Sequence, residues 1–334
     1  MSGSIIVAAV VIAYMAFMLF IGWYSKHMIS GNADFMVAGR RLGPILMAGT
    51  LAATEIGGGS SLGVVQQGMG KYGISAAWYV IAMGFAFVIL TFLAPEFRAS
   101  TVKTVPEYFR RRYGRLPGII TAVVMFLPLI GLTAGQMIAS AVILSTMMGI
   151  SFKVSVIAIC VIVTIYSVMG GLWSVTLTDF VQVFFIVFGM AVALPYALNL
   201  AGGWDNVVAN VPAESLDLFS GYSVIDVVAL TVMYITTFTV GQEAVSRYYA
   251  ARDGRTAQKG SVIAAIINFI YGFIPATLSW LSSTWVSLMR PSFRASAPGM
   301  PCRSWLLRLC RLSYAVSYLP VSSQPLCPVP ARTC

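Results

Sequence analysis

Residues 164–182 read TIYSVMGGLWSVTLTDFVQ, and this run carries more information than any other part of the sequence. It places a polar cluster, 178–182, between two strongly apolar segments. A soluble protein rarely has this arrangement, and a charged side chain facing the centre of a bilayer costs about 3 kcal/mol. The run therefore predicts a membrane domain whose polar groups face other helices rather than lipid.

The composition supports the same interpretation. The chain is 58% hydrophobic and 10% charged, with a mean hydropathy of +0.85, whereas soluble domains have about 25% charged residues. A soluble protein with a large core would not string together so many apolar runs of bilayer length, about 20 residues each. We predict an all-α, polytopic membrane protein with eight helices, at Ile5–Tyr24, Ile45–Gln66, Ile74–Pro95, Gly118–Met148, Val154–Leu172, Phe180–Leu200, Val224–Ser246 and Val262–Val286.

The charges follow the predicted loops. The net charge is +10, but it falls to +4 without the six arginines of residues 290–334, so the expected partner is membrane lipid and not nucleic acid. Three loops are basic, at 26–41, 98–115 and 247–259, and the loop at 205–217 is acidic. Basic loops lie on the cytoplasmic side. Eight alternating spans then put all three basic loops on that side and the N terminus outside.

The second predicted helix contains AATEIGGGSSLG at residues 52–63. Three consecutive glycines favour a broken helix, and a break frees carbonyl groups that can replace the water around a small cation. Glu55 lies beside the glycines, and a carboxylate in a membrane helix is a functional hypothesis by default. The alternative is close packing by small residues, with Glu55 in a structural pair.

Four motifs occur in a fixed order between residues 34 and 260. The run at 164–182 resembles GGL-x-x-V-x-x-TD-x-x-Q of the sodium:solute symporter family. The other matching stretches are DFMVAGRRLG at 34–43, TVPEYFRRRYG at 104–114, and GQ at 241–242 with RYYAA at 247–251 and AQKG at 257–260. The ordered set is similar to sodium/proline and sodium/pantothenate symporters.

The resemblance implies a five-plus-five inverted-repeat (LeuT-like) core with one extra N-terminal helix. It also implies sodium-coupled symport of a small organic solute across the inner (cytoplasmic) membrane, with no cofactor and no enzymatic step. By resemblance, the carbonyls of Ala53 and Ile56 bind sodium and Glu55 lies near that ion, where sodium/proline symporters have aspartate.

Further residues take roles through the same resemblance. Asp179 would lie on the ion exit route, or it is a helix-start carboxylate favoured by the helix dipole. Polar groups near the break and on two other core helices would contact the solute, or they form hydrogen bonds between helices. These residues are Gly57, Gly58, Ser60, Gln136, Thr239, Gly241 and Gln242.

The chain changes character near its end. Residues 290–334 are rich in Arg, Ser, Pro and Cys and contain no acid. We predict an incomplete symporter domain over residues 1–286 and an aberrant, largely disordered tail over 287–334. Back-translation of 318–334 in a shifted frame can give AGIITATMSSAGTDL, which resembles the family's eighth core helix. The hypothesis is a frame shift near residue 280, which sequencing of the coding DNA tests, and the chain alone is then expected not to complete sodium-coupled uptake.

Other classes of membrane protein fit the sequence less well. A non-transporting sensor or regulatory protein on the same scaffold stays the main alternative, and a fused signalling domain would favour it. An ion channel needs symmetry-related pore residues, which no repeat here supplies. An enzyme is the least favoured class, because the lone His27 lies in a loop without a partner constellation, and the five cysteines have no metal or redox spacing.

Overall fold

A computed structural model describes residues 2–296, and within that range every regular element longer than a single bridge is helical. The α-helices are, in chain order, α1 Ser2–Lys26, α2 Asn32–Val37, α3 Pro44–Glu55, α4 Val64–Gln67, α5 Trp78–Ala99, α6 Val105–Tyr113, α7 Arg115–Met148, α8 Phe152–Leu200, α9 Trp204–Asn210, α10 Val224–Val240, α11 Gln242–Ala250 and α12 Gly254–Ser296. The all-α prediction is confirmed.

Several helices have the length and composition of membrane spans. Among the described residues, α1, α5, α7, α8 and α12 contain such spans, and α10 with α11 forms a sixth candidate bent by 56°. Counting α8 as two spans, for the reason given next, and adding the broken segment 44–72 gives the eight predicted crossings.

The long helix α8 reverses direction at Gly171. A straight helix of its 49 residues would be about 74 Å long, more than twice the bilayer core. Before Gly171, Tyr166 packs on Gly22 and Gly170 on Ser25 of α1. After it, Gln182 contacts Met18 and Phe185 contacts Tyr14. The chain therefore runs along α1 in one direction before Gly171 and in the other direction after it.

Glycine is required at this reversal. Gly171 has φ +51° and ψ −142°, a conformation that residues with a side chain adopt only under strain. A Cβ atom there would also lie 2.5 Å from the carbonyl oxygen of Phe35. The sequence prediction of a loop at 173–179 is corrected, because the turn needs one residue and helix resumes at once.

The second membrane segment is broken, as predicted, although the break comes slightly earlier than the three glycines. Helix α3 ends at Glu55, and Ile56 is extended, with φ −81° and ψ 90°. Helix resumes at Gly58 and includes two π-helical turns, Gly59–Gly63 and Gly68–Tyr72, on either side of α4. A 3-10 turn, Gly73–Ala77, then leads into α5.

Small residues let α12 pack closely between the broken segment and α5. Phe269 lies against Gly84 of α5, and Gly260 lies against Met47 of α3. Such close approach of helices is the usual device of membrane bundles, where burial of apolar surface provides little driving force. Helix α12 thus links the broken segment to the core.

The basic loops meet on one face of the bundle. Leu42 forms a short parallel bridge with Ala251, and the guanidinium of Arg98 donates to the Ala251 carbonyl at 2.6 Å. Arg40 donates to the carbonyl of Thr101. These contacts join all three basic loops, in agreement with the charge-based prediction that they share a side.

The acidic loop covers the opposite end. The indole of Trp78, at the start of α5, donates to the carbonyl of Leu218 at 2.8 Å. The rings of Tyr72 and Tyr222 lie 4.8 Å apart. This loop therefore closes over the end of the broken segment and lies away from the basic loops.

Helix α12 continues to Ser296, ten residues beyond the predicted end of the symporter domain at 286. The rest of the predicted tail, 297–334, lies outside the described residues, and so does the back-translated segment 318–334.

Candidate functional site

The break in the second membrane segment rearranges three main-chain groups. In a continuous helix the Gly57 amide would donate to the carbonyl of Ala53, but here it donates to Ser60 Oγ at 2.8 Å. The ψ angle of Ile56 turns its carbonyl away from the helix axis. Two of the predicted sodium ligands, the carbonyls of Ala53 and Ile56, are therefore among the main-chain groups that the break displaces from the regular helical pattern.

Ser60 ties the two halves of the broken segment together. Its hydroxyl donates to the Glu55 carbonyl at 2.7 Å and also accepts the Gly57 amide. The side chain is almost fully buried. Its observed role is to brace the break, and the predicted contact between Ser60 and solute stays a prediction.

A second break lies between α10 and α11. Gly241 is extended, with φ −65° and ψ 122°, and the two helices bend by 56° around it. The sequence analysis placed Thr239, Gly241 and Gln242 on one helix and did not predict this break. A single glycine between two good helical patterns is the signal that could have suggested it.

Each of the two breaks has a carboxylate beside it. Glu55 is the last residue of α3, and Glu243 is the second residue of α11. The negative charge of Glu243 and the positive charge of Arg247 both act on Glu55. The Glu243 carboxylate lies directly over Gly241, where a Cβ atom would be 2.7 Å from Oε1. Acidic groups from both breaks therefore share one region, and the sequence analysis missed Glu243.

A largely buried ion pair lies one to two helical turns before the first break. Arg247 of α11 contacts Asp179 of α8 at 3.1 Å, with 13% and 16% of the two side chains exposed. Thr50 of α3 donates to the same Asp179 oxygen at 2.7 Å. Asp179 lies two turns inside the second half of α8, so its main partner is Arg247 and not the helix N terminus.

This arrangement changes the interpretation of Arg247, which the sequence analysis counted as a loop residue that sets the topology. It lies within α11 and also donates to the Glu243 carbonyl at 2.9 Å. An isolated carboxylate in an apolar helix needs a buried partner, and that signal could have directed attention to Arg247. The predicted place of Asp179 on an ion route stays a prediction.

Gln136 of α7 lies over the glycines of the break. A Cβ atom on Gly57 would be 3.3 Å from Gln136 Nε2 and 3.4 Å from Oε1, and one on Gly58 would touch Ala139. The Gln136 side chain is otherwise exposed. The structure thus brings together Gln136, Gly57 and Gly58, three of the residues predicted to contact solute.

Two of the residues predicted to contact solute near the second break, Gln242 and Thr239, already form hydrogen bonds within the protein. Gln242 Oε1 accepts the amide of Val105 at 2.8 Å, so this oxygen caps the start of α6. Thr239 donates to the carbonyl of Ile235 on its own helix at 2.6 Å. Solute contacts by Gln242 and Thr239 stay predictions; the Gln242 amide nitrogen can still donate and the Thr239 hydroxyl can still accept.

An apolar groove lies beside the first half of the broken segment. It has a volume of about 430 Å³ and is lined by α3, the second half of α8 and α12, including Ile45, Phe184 and Ile263. Its lining lacks polar side chains, so it does not offer the hydrogen bonds that a polar solute needs. The polar region at the breaks is the better candidate site.

Comparison with known proteins gives the family context. Residues 35–286 match the model of the sodium:solute symporter family. The osmoregulated proline transporter OpuE of Bacillus subtilis is 29% identical over 229 residues, which are 65% of this chain and 46% of the transporter. The high-affinity proline transporter PutP of the same organism is 26% identical, over 64% of this chain and 47% of that protein.

A solved structure supports the architecture. The substrate-bound, outward-open state of a Na⁺-coupled sialic acid symporter matches with a TM-score of 0.76 and 20% identity, over 94% of this chain and 66% of that chain. The likeness establishes the fold. This chain spans about half the length of the curated relatives that it matches.

Proposed function

The chain belongs to the sodium:solute symporter family, and we propose that it binds sodium and a small organic solute for symport across the cell membrane, a transport cycle that this chain alone is not expected to complete. The observation that carries this proposal is the break at Ile56–Gly57, where main-chain carbonyls leave the helical ladder beside the carboxylate of Glu55. Unwound carbonyls of this kind coordinate sodium in membrane carriers.

The proposed ion site consists of the carbonyls of Ala53 and Ile56 and the carboxylate of Glu55. All three groups supply an oxygen atom as a ligand, and oxygen ligands suit a small hard cation. Glu243 faces the same region across the second break. A cation near Glu55 would reduce the repulsion between the two carboxylates and so favour the approach of α3 and α11.

The proposed solute site lies on the other side of the first break. Gly57 and Gly58 bring their backbone close to the Gln136 amide, which both donates and accepts. Gly241, at the second break, is the proposed contact from α10–α11. Ion and solute would then touch the same broken segment, so each changes the affinity for the other.

Asp179 is proposed to lie on the inner ion route. Its ion pair with Arg247 joins α8 to α11 on the side of the break nearest the basic loops. Ion release towards that side would require the pair to separate. The proposed membrane orientation puts the basic loops in the cytoplasm and the N terminus outside. No covalent step is proposed.

The test is sodium-dependent binding of labelled solutes to the purified full chain. Proline and sialic acid are the first solutes to try, since relatives transport the one and a structural neighbour the other. We expect sodium to increase binding of at least one solute, whereas potassium or choline at equal ionic strength does not. A wider panel of amino acids and carboxylates without any sodium response would overturn the proposal.

A carboxylate variant makes the test specific. Glu55→Gln should raise the sodium concentration that gives half-maximal solute binding, because it removes a negative charge from the ion site. Glu214→Gln, in the exposed acidic loop, is the matched control and should behave as the unchanged chain does. Equal sodium dependence of the Glu55→Gln variant and its control would assign Glu55 to packing.

A further inference from the structure

The apolar groove beside the first half of the broken segment opens on the outside of the helix bundle. One wall is the second half of α8, where Phe180, Phe184 and Phe188 follow each other at intervals of four residues and are all exposed. The other two walls carry Ile45 of α3 and Ile263 of α12, which are also exposed. An exposed apolar surface of this kind marks a contact with lipid or with another protein.

The groove is about as long as one leaflet of a bilayer is thick. The Phe180 ring lies against Gly49 of α3, and Ala191 is the last residue of α8 in the lining. The eleven positions from Phe180 to Ala191 correspond to about 16 Å along a helix. Half of the hydrocarbon core of a bilayer is about 15 Å thick. The groove therefore has the length to hold one acyl chain.

The groove begins on the side of the basic loops. The amide of Arg252 donates to the carbonyl of Leu42 at 3.1 Å, so α12 and α3 start next to each other on that side. Gly260 then lies against Met47, so the two helices run inwards together. The first residue of α12 in the groove lining is Ile263. The residues of α12 that precede Ile263 therefore lie at the mouth of the groove.

Two cationic side chains lie at this mouth. Lys259 and Arg255 are exposed and precede Ile263 by about one and two turns. Lys259, Ile263 and Ile266 are exposed at spacings of four and three residues, which places them on one side of α12. A lysine side chain extends its ammonium group towards the membrane surface. The outer side of α12 is thus basic at the mouth and apolar further in.

Both cations are available to a ligand. Among the residues whose side chains the structure describes, neither Lys259 nor Arg255 forms an ion pair or a hydrogen bond. The acid nearest in sequence, Asp253, contacts Arg252 at 3.3 Å and accepts the amide of Thr256 at 2.7 Å. The charge at the mouth is therefore positive and unpaired.

The combination selects the chemistry of the occupant. An acyl chain fits the groove, and a phosphate that carries a net negative charge complements the two cations. A free phosphate would leave the apolar walls uncovered, and a lipid whose headgroup carries its own cation would compete with Lys259. The AQKG motif at 257–260 gains a role as well, because Lys259 supplies charge while Gly260 lets α12 approach α3.

We propose that the groove binds an anionic phospholipid from the leaflet on the side of the basic loops. Its phosphate contacts Lys259 and Arg255, and one acyl chain lies between α3, the second half of α8 and α12. The lipid then packs against the first half of the broken segment, the helix that ends at the break. The site is separate from the proposed ion and solute sites, and the inference does not depend on symport.

The experiment measures equilibrium binding of lipid to the purified full chain in detergent by native mass spectrometry. Phosphatidylglycerol is compared with phosphatidylcholine of the same acyl chains, and glycerol phosphate tests the headgroup without the chains. Phosphatidylglycerol should bind more tightly, by about fivefold for each cation that it contacts. The difference should decrease as the salt concentration rises, and glycerol phosphate should not displace the bound lipid.

Variants test the two parts of the site separately. Lys259→Gln should weaken binding of phosphatidylglycerol by about fivefold and leave binding of phosphatidylcholine unchanged, whereas Lys259→Arg should keep the preference. Arg115→Gln is the matched control, since Arg115 is exposed at the start of α7, in another basic loop and not in the groove lining. Ala191→Trp fills the inner end of the groove and should weaken binding of both lipids.

Several results would overturn the proposal. Equal affinity of the unchanged chain for the two lipids, or displacement of the lipid by glycerol phosphate, would do so. Equal losses in Lys259→Gln and Arg115→Gln would indicate a diffuse attraction to all the basic loops. Unchanged lipid binding by Ala191→Trp would mean that a second copy of the chain or a further helix covers the groove. Lys259→Gln decides the matter if Ala191→Trp does not fold, and none of these results bears on sodium binding.

Discussion

The ion pair between Asp179 and Arg247 explains how one residue of each charge is accommodated inside the bundle. Both side chains are mostly buried, and Thr50 and the Glu243 carbonyl supply further hydrogen bonds. A buried pair contributes little net stability, whereas a single buried charge without its partner is expensive. The pair is therefore best understood as a contact that joins α3, α8 and α11 in one arrangement.

This interpretation predicts a strongly non-additive mutant cycle. Asp179→Ala and Arg247→Ala should each lower stability by about 3–5 kcal/mol, because each leaves an unpaired buried charge. The double variant should lose less than the sum of the two single losses, since no unpaired charge remains. Thermal or denaturant unfolding in detergent measures the stability of the unchanged chain, the two single variants and the double variant. Additive losses would show that the two charges do not interact.

At the scale of single elements, the reversal of α8 depends on one glycine. Gly171→Ala should destabilise the protein by about 1–3 kcal/mol, because its φ and ψ suit only glycine and a Cβ atom would meet Phe35. Gly189→Ala is the matched control in the same helix, where a Cβ atom meets nothing within 4 Å. It should be neutral or slightly stabilising, and equal losses in both variants, measured by thermal unfolding, would contradict the assigned role of Gly171.

The helices were predictable from apolar runs of bilayer length, and the first break from its three glycines. The reversal at Gly171 was misplaced because the pattern 173–179 is polar enough to suggest a loop, although its polar side chains are buried against other helices. The second break was missed because a single glycine, Gly241, lies at the end of an apolar run and can equally mark an ordinary helix end.

The candidate site was predictable only in part. Glu55, Gly57, Gly58 and Gln136 could be named from the sequence, because glycines, an acid and an amide stand out among apolar residues. Glu243 could not, since it follows the second break and resembles an ordinary residue of a basic loop. Arg247 could be reached only as the buried partner that Asp179 needs.

At the scale of the whole molecule, the three basic loops contact one another at one end of the helix bundle, and the acidic loop lies at the other end. Engineered cysteines test the proposed orientation. A cysteine at Gly31 or Arg115 should be protected in intact cells from a reagent that does not cross membranes, and one at Glu214 should react. All three should react in broken cells, in a background without the native cysteines. Labelling of position 31 but not 214 in intact cells would reverse the orientation.

The central claim is that the break at Ile56–Gly57 forms a sodium site, and equilibrium binding of ²²Na⁺ to the purified full chain tests it most directly. We predict saturable binding that unlabelled sodium displaces and potassium does not. Replacing Gly57, Gly58 and Gly59 together with alanine, which favours an unbroken helix, should abolish this binding while the far-UV circular dichroism stays helical. Undetectable binding to the unchanged chain, or equal binding to the alanine variant with its helix unbroken, would contradict the account.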